Sequence, residues 1–332
     1  MENTGKMKLI LLIIIIASCS LFAADGDRGL GGTFLNSGTY SRQLSLGNAY
    51  CGLPNDISSM YYNPAGLTKL YKSEIALTHI TLFEDTVYDY IGFAYPTVYN
   101  YSYGIGLMQL NVPDIQLRDS NNKPLDTTTY KNSAVFISAG APLGKIFSYG
   151  MTVKILSKEF EKVAVSATKL DVGMLFSPNP KFGIGLNFQN LLDSRFAREG
   201  GYDTIPMNIK FGIGLIPVSN KTFEMTILCD TDKTENISRT IIHAGIEFKF
   251  FNTVALRAGS DDGNITAGAG FRIKDFKLDC AMLTHQSLGN SMRVSMGLFF
   301  GKLPEEREEL HYEWKQNKLE EFWDSNTLEP NE

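Results

Sequence analysis

The sequence predicts an all-β fold: an antiparallel transmembrane β-barrel of about fourteen strands, with an N-terminal plug and a C-terminal helical tail. Three observations carry this. An export signal opens the chain, apolar residues alternate with small or polar ones at a period of two from residue 73 to residue 300, and the connections are long and short by turns.

Residues 1–24 read as a secretory signal peptide. Lys6 and Lys8 make its basic head and LILLIIIIA (9–17) its apolar core, which falls short of the roughly 20 apolar residues a membrane helix needs. Cleavage is expected after Ala23 or Ala24. The alternative is that Ile16-Ala17-Ser18-Cys19 forms a lipobox with Cys19 as a lipidated N-terminus; the chain is exported on either reading. No later stretch is apolar for long enough to cross a bilayer as a helix.

Residues 25–70 do not alternate. Within them DISSMYYNPAGLTKL (56–70) crowds two tyrosines, an Asn-Pro and an Ala-Gly together. Asn55 is placed to cap a short helix over DISSMYY, which must stop before Pro64 because proline disfavours a helical residue ahead of it. Pro64 fixes φ, and Gly66 is expected to supply a left-handed turn that re-aims the chain into the first strand. Leu44, Leu46, Tyr50, Leu53, Ile57, Met60, Tyr61 and Tyr62 are a heavier apolar load than disordered leaders carry. The segment is therefore expected to fold as a plug, or hatch, inside the barrel.

Residues 71–301 are the expected barrel. KFGIGLNFQ (181–189) puts Phe182, Ile184, Leu186 and Phe188 on one face and Gly183, Gly185, Asn187 and Gln189 on the other, and KFGIGL recurs at 210–215. Large apolar side chains on one face suit hydrocarbon; small and polar ones on the other suit a crowded or wet interior. Glycine weakens a strand, so its repetition on one face points to something approaching closely from inside. The fourteen runs fall near 73–83, 89–97, 102–112, 132–142, 148–157, 167–178, 181–189, 207–217, 222–230, 239–250, 254–259, 264–273, 276–285 and 291–300. Longer loops are expected at 113–131, 158–166, 190–206, 231–238 and 286–290. The intervening turns are tight, which is the asymmetry of a transmembrane barrel. A secreted β-sandwich or β-helix also alternates, but has no reason to sort its loops by parity.

Residues 302–332 hold ten acidic and four basic residues, so the tail carries −6 of the chain's net −5 and the rest about +1. Glu309/Glu313, Leu310/Trp314 and Leu319/Trp323 lie at helical spacing. A periplasmic helix is expected here, either a solvated acidic face or a docking element for a periplasmic partner through Trp314, Phe322 and Trp323.

The remaining residues exclude several chemistries. Cys51, Cys229 and Cys280 are scattered, and the four histidines form no ligand cluster, so neither a disulfide framework nor a metal site is expected. His79, His243 and His285 read as chance placements, and the SDDGN at 260–264 as a turn rather than a calcium loop. GIGL and GAGF lead into no helix and are not phosphate loops. No enzymatic activity, cofactor or nucleic-acid partner is expected. The inner face reads as Gly, Ala, Ser and Thr with few charges, unlike the charged lumen of a diffusion porin.

The stretch SGTYSRQLSLGNAYCGLPNDISSMYYNPAGLTKL resembles the N-terminal signature of the FadL-like outer-membrane superfamily, most closely its PorV/PorQ branch. The matching positions are Arg42, Leu46, Gly47, Ala49, Tyr50, Asp56, Ser58, Tyr61, Asn63, Pro64, Ala65, Gly66 and Leu67. The resemblance covers about thirty residues in motif and the remainder in architecture alone. It implies a fourteen-stranded outer-membrane barrel with an N-terminal hatch, among membrane lipids, and two different tasks. FadL-type members take up a hydrophobic ligand such as a fatty acid and release it sideways after the hatch rearranges; Arg42, Gly47, Asp56, Tyr61, Asn63, Pro64, Ala65 and Gly66 would then be gating residues. PorV-type members receive secreted cargo proteins in type IX secretion. The tail departs from the pattern, since such barrels commonly end on an aromatic residue of the last strand, for which Phe299 or Phe300 would serve.

Overall fold

The alternation of large apolar with small or polar residues folds into a closed wall. A computed structural model describes residues 34–35, 38–81, 86–97, 101–161, 163–198, 201–285 and 289–302. The signal peptide, and the tail with Trp314, Phe322 and Trp323, lie outside the described residues.

The strands are β1 (Ser73–Thr81), β2 (Val87–Pro96), β3 (Ser102–Arg118), β4 (Pro124–Leu143), β5 (Phe147–Phe160), β6 (Val163–Asn179), β7 (Phe182–Gln189), β8 (Arg195–Arg198) and β9 (Gly201–Thr204). They continue with β10 (Asn208–Ser219), β11 (Phe223–Thr234), β12 (Ile241–Phe250), β13 (Val254–Asp261), β14 (Asn264–Ile273), β15 (Phe276–His285) and β16 (Gly289–Phe300). Fourteen of them form one closed antiparallel barrel in chain order, with β7 pairing β10 across the intervening β8 and β9, and β1 closes on β16 from Ser73↔Phe300 to His79↔Val294. β8 and β9 form a separate hairpin in the β7–β10 connection. An even strand number is what lets the first and last strands meet antiparallel, and closure leaves no edge unpaired.

The alternation sorts the faces. Along β5, Ser148, Gly150, Thr152 and Lys154 are buried while Phe147, Tyr149, Met151 and Val153 are exposed. The same outward set recurs round the wall, with Leu77, Ile91, Phe93, Ile105, Leu107 and Ile137 all exposed. An apolar surface on this scale is far beyond what a soluble monomer exposes.

Three expectations need correction. Residues 113–131 are not an open loop: β3 and β4 run 17 and 20 residues, well past the nine to eleven that span a membrane. Their pairing persists across register shifts between Val112 and Ile115 and between Gln116 and Arg118, because Ile115, Leu117 and Thr127–Thr129 keep the strand period there. The β5–β6 pair likewise absorbs most of 158–166. The inner face is also not poor in charge. Glu74, Lys154, Lys169, Asp171, Lys210, Asp230, His243, Glu247, Arg257, Lys277, Asp279 and Arg293 are all buried.

The third correction concerns residues 38–70. They hold helix α1 (Ser41–Ser45), helix α2 (Ser59–Tyr62) and a 3₁₀ turn (Pro64–Lys69). Helix α2 stops where expected, with Asn63 extended (φ −165°, ψ 103°) ahead of Pro64. Asn55, however, does not cap it; Ser58 is the N-cap residue, with no side-chain cap, and Asn55 accepts from Arg42 instead. Gly66 is not left-handed either. It lies in the 3₁₀ turn, where any Cβ would collide with the Pro54 ring, so close packing rather than φ calls for glycine. Left-handed backbone is found at Gly38 and Gly47, with φ of 71° and 65°.

Candidate functional site

The segment 38–70 contacts inward-facing residues on nearly every side of the closed wall. A Cβ on Gly150 or Gly173 would run into Pro64, one on Gly183 or Gly185 into Gly52 or Cys51, and one on Gly245 or Gly259 into the Leu46–Gly47 backbone. Wall glycines are thus small because backbone lies directly against them. Within the segment Leu46, Ala49, Tyr50, Ala65 and Leu67 are fully buried.

Polar contacts fix its position. On the β5–β7 side the carbonyls of three successive residues accept from wall side chains: Met60 from Thr152 (2.9 Å), Tyr61 from Gln189 (2.9 Å) and Tyr62 from Asn187 (3.0 Å). Asn63 donates from Nδ2 to the Met174 carbonyl of β6 (3.0 Å) and to the Cys51 carbonyl (3.2 Å), while its Oδ1 accepts from the Ala65 amide. Further round, both carboxylate-facing amides of Tyr50 and Cys51 donate to Asp230 Oδ2 at 2.6 Å. His243 is no chance placement: its Nδ1 is 2.9 Å from both the Gly47 carbonyl and Asp261. His79 instead faces outward, paired with Asp89 at 2.7 Å.

On the opposite side six charges close a ring. Lys277 lies 3.6 Å from Asp56, which is 3.2 Å from Arg42; Arg42 is 2.9 Å from Glu247, which is 2.5 Å from Arg257. Arg257 is 2.7 Å from Asp279, and Asp279 3.2 Å from Lys277. Cations and anions alternate, so three of each leave the ring neutral although all six side chains are nearly inaccessible to solvent. Two members come from the segment and four from β12, β13 and β15. Arg42 is the junction. It grips Glu247 through Nε and Nη2, and its Nη1 donates to the Tyr50 hydroxyl (3.0 Å), Asn55 Oδ1 (2.8 Å) and Asp56. This planar five-donor fork suits Arg and not Lys. Asp56 also accepts from Gln43, from the Ser58 amide and from the Ser58 hydroxyl.

Electrostatics follow from this geometry. Burial alone would raise the Asp56 pKa, but Lys277 and Arg42, with the Ser58 and Gln43 hydrogen bonds, hold it down at about 2. Burial works against the charge of Arg42 too, yet Glu247, Tyr50 and Asp56 leave its pKa raised. Burial lifts the phenol of Tyr50 well above its ordinary value.

The segment residues singled out by the sequence therefore divide into two groups. Arg42 and Asp56 meet in the ring, with Gly47 on the neighbouring β12–β13 wall, whereas Asn63, Pro64, Ala65 and Gly66 pack against β4–β6. Tyr61 lies between them, edge-on to Tyr62 and Phe136 and beneath Lys154. The wall members Glu247, Arg257, Lys277 and Asp279 escaped the sequence reading. The signal for Lys277 and Asp279 is in-phase charge two residues apart, as also in Lys169/Asp171 and Asp230/Asp232, while Glu247 and Arg257 lie in phase with the strand glycines Gly245 and Gly259.

No protein-family model matches the chain, and no curated protein sequence does either. Solved structures do. The chain is similar to the Ralstonia pickettii toluene transporter TbuX at 14% identity and TM-score 0.53, covering 80% of this chain and 99% of that one. It is similar to the monoaromatic hydrocarbon channel CymD at 10% identity and TM-score 0.59, covering 80% and 98%. A Pseudomonas aeruginosa FadL homologue aligns at 12% identity and TM-score 0.51, covering 79% and 98%. At these identities the likeness is one of fold: a closed fourteen-strand barrel of the FadL type.

Proposed function

We propose that this chain is an outer-membrane channel for hydrophobic or amphiphilic molecules, gated by residues 38–70 acting as a hatch. The observation that carries the reading is the ring of six charges. A lumen meant to stay blocked needs only apolar packing, whereas this one is joined to its wall through a buried polar seam. Such seams are costly to half-break and so hold a segment in one of two discrete arrangements. The exposed apolar belt supports a bilayer setting, and the fold shared with hydrocarbon channels supports the substrate class. Movement about Asn63-Pro64-Ala65-Gly66 opens a path, with lateral release through the wall as its outlet.

A disulfide lock tests the hatch. Ser41 Oγ of α1 is 2.6 Å from Ser295 Oγ of β16, so Ser41→Cys with Ser295→Cys places two thiols in contact. Oxidation is expected to stop uptake of a labelled long-chain fatty acid or of toluene by cells that depend on this barrel, and dithiothreitol to restore it. Each single variant controls for the native cysteines. Unchanged uptake by the oxidised double variant refutes gating by this segment.

A second reading, a PorV-like barrel that receives secreted protein, is favoured by one observation. The β3–β4 and β5–β6 pairs run on beyond the membrane-spanning length and present Leu125 and Val163 to solvent, a platform that a channel for small molecules does not need.

A further inference from the structure

The connection between β7 and β10 folds back into the mouth of the barrel opposite the short turns. Its hairpin, paired from Arg195↔Thr204 to Arg198↔Gly201, has one face in and one face out: Phe196 and Ile205 are buried, whereas Ala197 and Tyr202 are exposed. Phe196 and Ile205 join an apolar cluster that includes the inward-facing Met108, Ala134, Leu156 and Ala167 of β3, β4, β5 and β6. Connections ordinarily run over the surface in contact with water, so two apolar side chains turned into the lumen mark this one as a seal.

The two feet of the connection are tied to each other and to the wall. Asn190, left-handed at φ 62°, turns the chain out of β7. Its amide donates to Asp171 Oδ1 (2.9 Å), its Nδ2 to the Pro206 carbonyl (3.2 Å), and its Oδ1 accepts from Lys154 (3.3 Å). Lys169, buried on the inner face of β6, donates to the Leu192 carbonyl ahead of β8 (2.7 Å) and to the Ile205 carbonyl after β9 (3.1 Å). A single ammonium therefore spans both feet of the hairpin. Further out, Lys158 pairs with Asp203 at 2.9 Å, and the Leu191 amide donates to the Leu170 carbonyl (2.8 Å). These contacts differ in kind from the six-charge ring. Lifting the hairpin off Lys169 frees carbonyls that water satisfies and strands no buried carboxylate, whereas half-breaking the ring leaves a buried charge unpaired.

We infer that residues 190–198 and 201–206 form a lid, latched by Lys169 and sealed by Phe196 and Ile205, which is a second closure in series with the hatch. Gln189, the residue before Asn190, donates to the Tyr61 carbonyl of the hatch segment (2.9 Å). The hinge of the lid thus begins where that segment is anchored, and the lumen between the two is shut at both ends. The closure rests on the hairpin's own contacts and stands whether or not residues 38–70 move.

The test is access to the lumen of the full chain in maltoside micelles. Ala134→Cys puts a thiol on the buried inner face of β4, and its reaction with a sulfonated maleimide is followed by peptide mapping at position 134, so the native cysteines do not enter. Reaction is expected to be slow while the lid is intact. Lys169→Met removes the latch and Phe196→Gln the seal; each is expected to raise the rate about tenfold or more, together with amide exchange across residues 190–206. Phe196 lies outside the fourteen-strand wall, so its replacement leaves the barrel folded, and Ala197→Gln on the exposed face of the hairpin is expected to change nothing. A rate unchanged by either Lys169→Met or Phe196→Gln overturns the lid, as does a thiol that already reacts as fast with the lid intact. Faster reaction accompanied by exchange in residues 43–58 but not in 190–206 assigns access to the hatch instead and overturns it too.

Discussion

Replacing Arg42 by Met probes the ring most directly. The side chain keeps similar bulk but removes five polar contacts, two to Glu247 and one each to Tyr50, Asn55 and Asp56. The ring then carries two cations against three anions, an uncompensated negative charge in a buried seam. Breaking a buried pair by deleting one partner costs about 3–5 kcal/mol. The wall itself keeps its ladder of backbone hydrogen bonds, so that cost falls on docking of the segment rather than on the barrel. Converted at about 1.4 kcal/mol per tenfold, amide exchange across residues 43–58 should accelerate by about a hundredfold to a few thousandfold, while strand amides stay protected. Adding Glu247→Met restores neutrality, with Asp56 on Lys277 and Asp279 on Arg257, so the double variant should recover part of the loss, a coupling of about 1–3 kcal/mol. Hydrogen exchange read by mass spectrometry in micelles measures all three proteins. Exchange in Arg42→Met within tenfold of wild type, or a double variant as labile as the sum of its parts, refutes the ring as the latch.

Gly66→Ala should destabilise docking by about 1–3 kcal/mol, because the new methyl meets the Pro54 ring; unchanged exchange in residues 54–67 would refute that packing. Asp56 has its folded pKa depressed to about 2 from an ordinary 3.8, so its stabilisation is complete above about pH 4 and is lost as pH falls through 2. Exchange of the segment, corrected for intrinsic rates, should rise over that window in wild type and rise less in Asp56→Asn, where only the other ring carboxylates remain to be protonated. Removing residues 114–127 should leave barrel assembly intact, as judged by heat-modifiable migration, since the β3–β4 register from Ser102↔Gly140 to Val112↔Tyr130 is untouched. Loss of a bound secreted protein with normal hydrocarbon uptake would favour the second reading of function, and the reverse would remove it.

Much of the wall was legible because period-two alternation is local. Fourteen runs were readable, and fourteen strands close the barrel, with β7, β14 and β15 matching their expected bounds to within a residue. The strand ends near 113–131 were misread for a local reason as well: turn-forming residues such as Pro113, Asp114 and Asn121 sit inside or at the tip of a hairpin whose pairing tolerates bulges. Gly66 shows a deeper limit. The sequence marks it as special, but a left-handed turn and a collision with Pro54 demand the same residue, and only packing tells them apart.

The sequence by itself determined the strand period, the sorting of apolar side chains to the outer face, the break before Pro64 and the even strand count that permits closure. Each depends on neighbours a few residues apart along the chain. Tertiary structure alone decided which charges meet. Arg42 and Glu247 are 205 residues apart, and Asp56 and Lys277 still further. Nothing local distinguishes a lysine that closes a neutral ring, such as Lys277, from one that the fold leaves exposed, such as Lys69. That difference arises when the wall closes and burial turns ordinary charges into groups that must be paired.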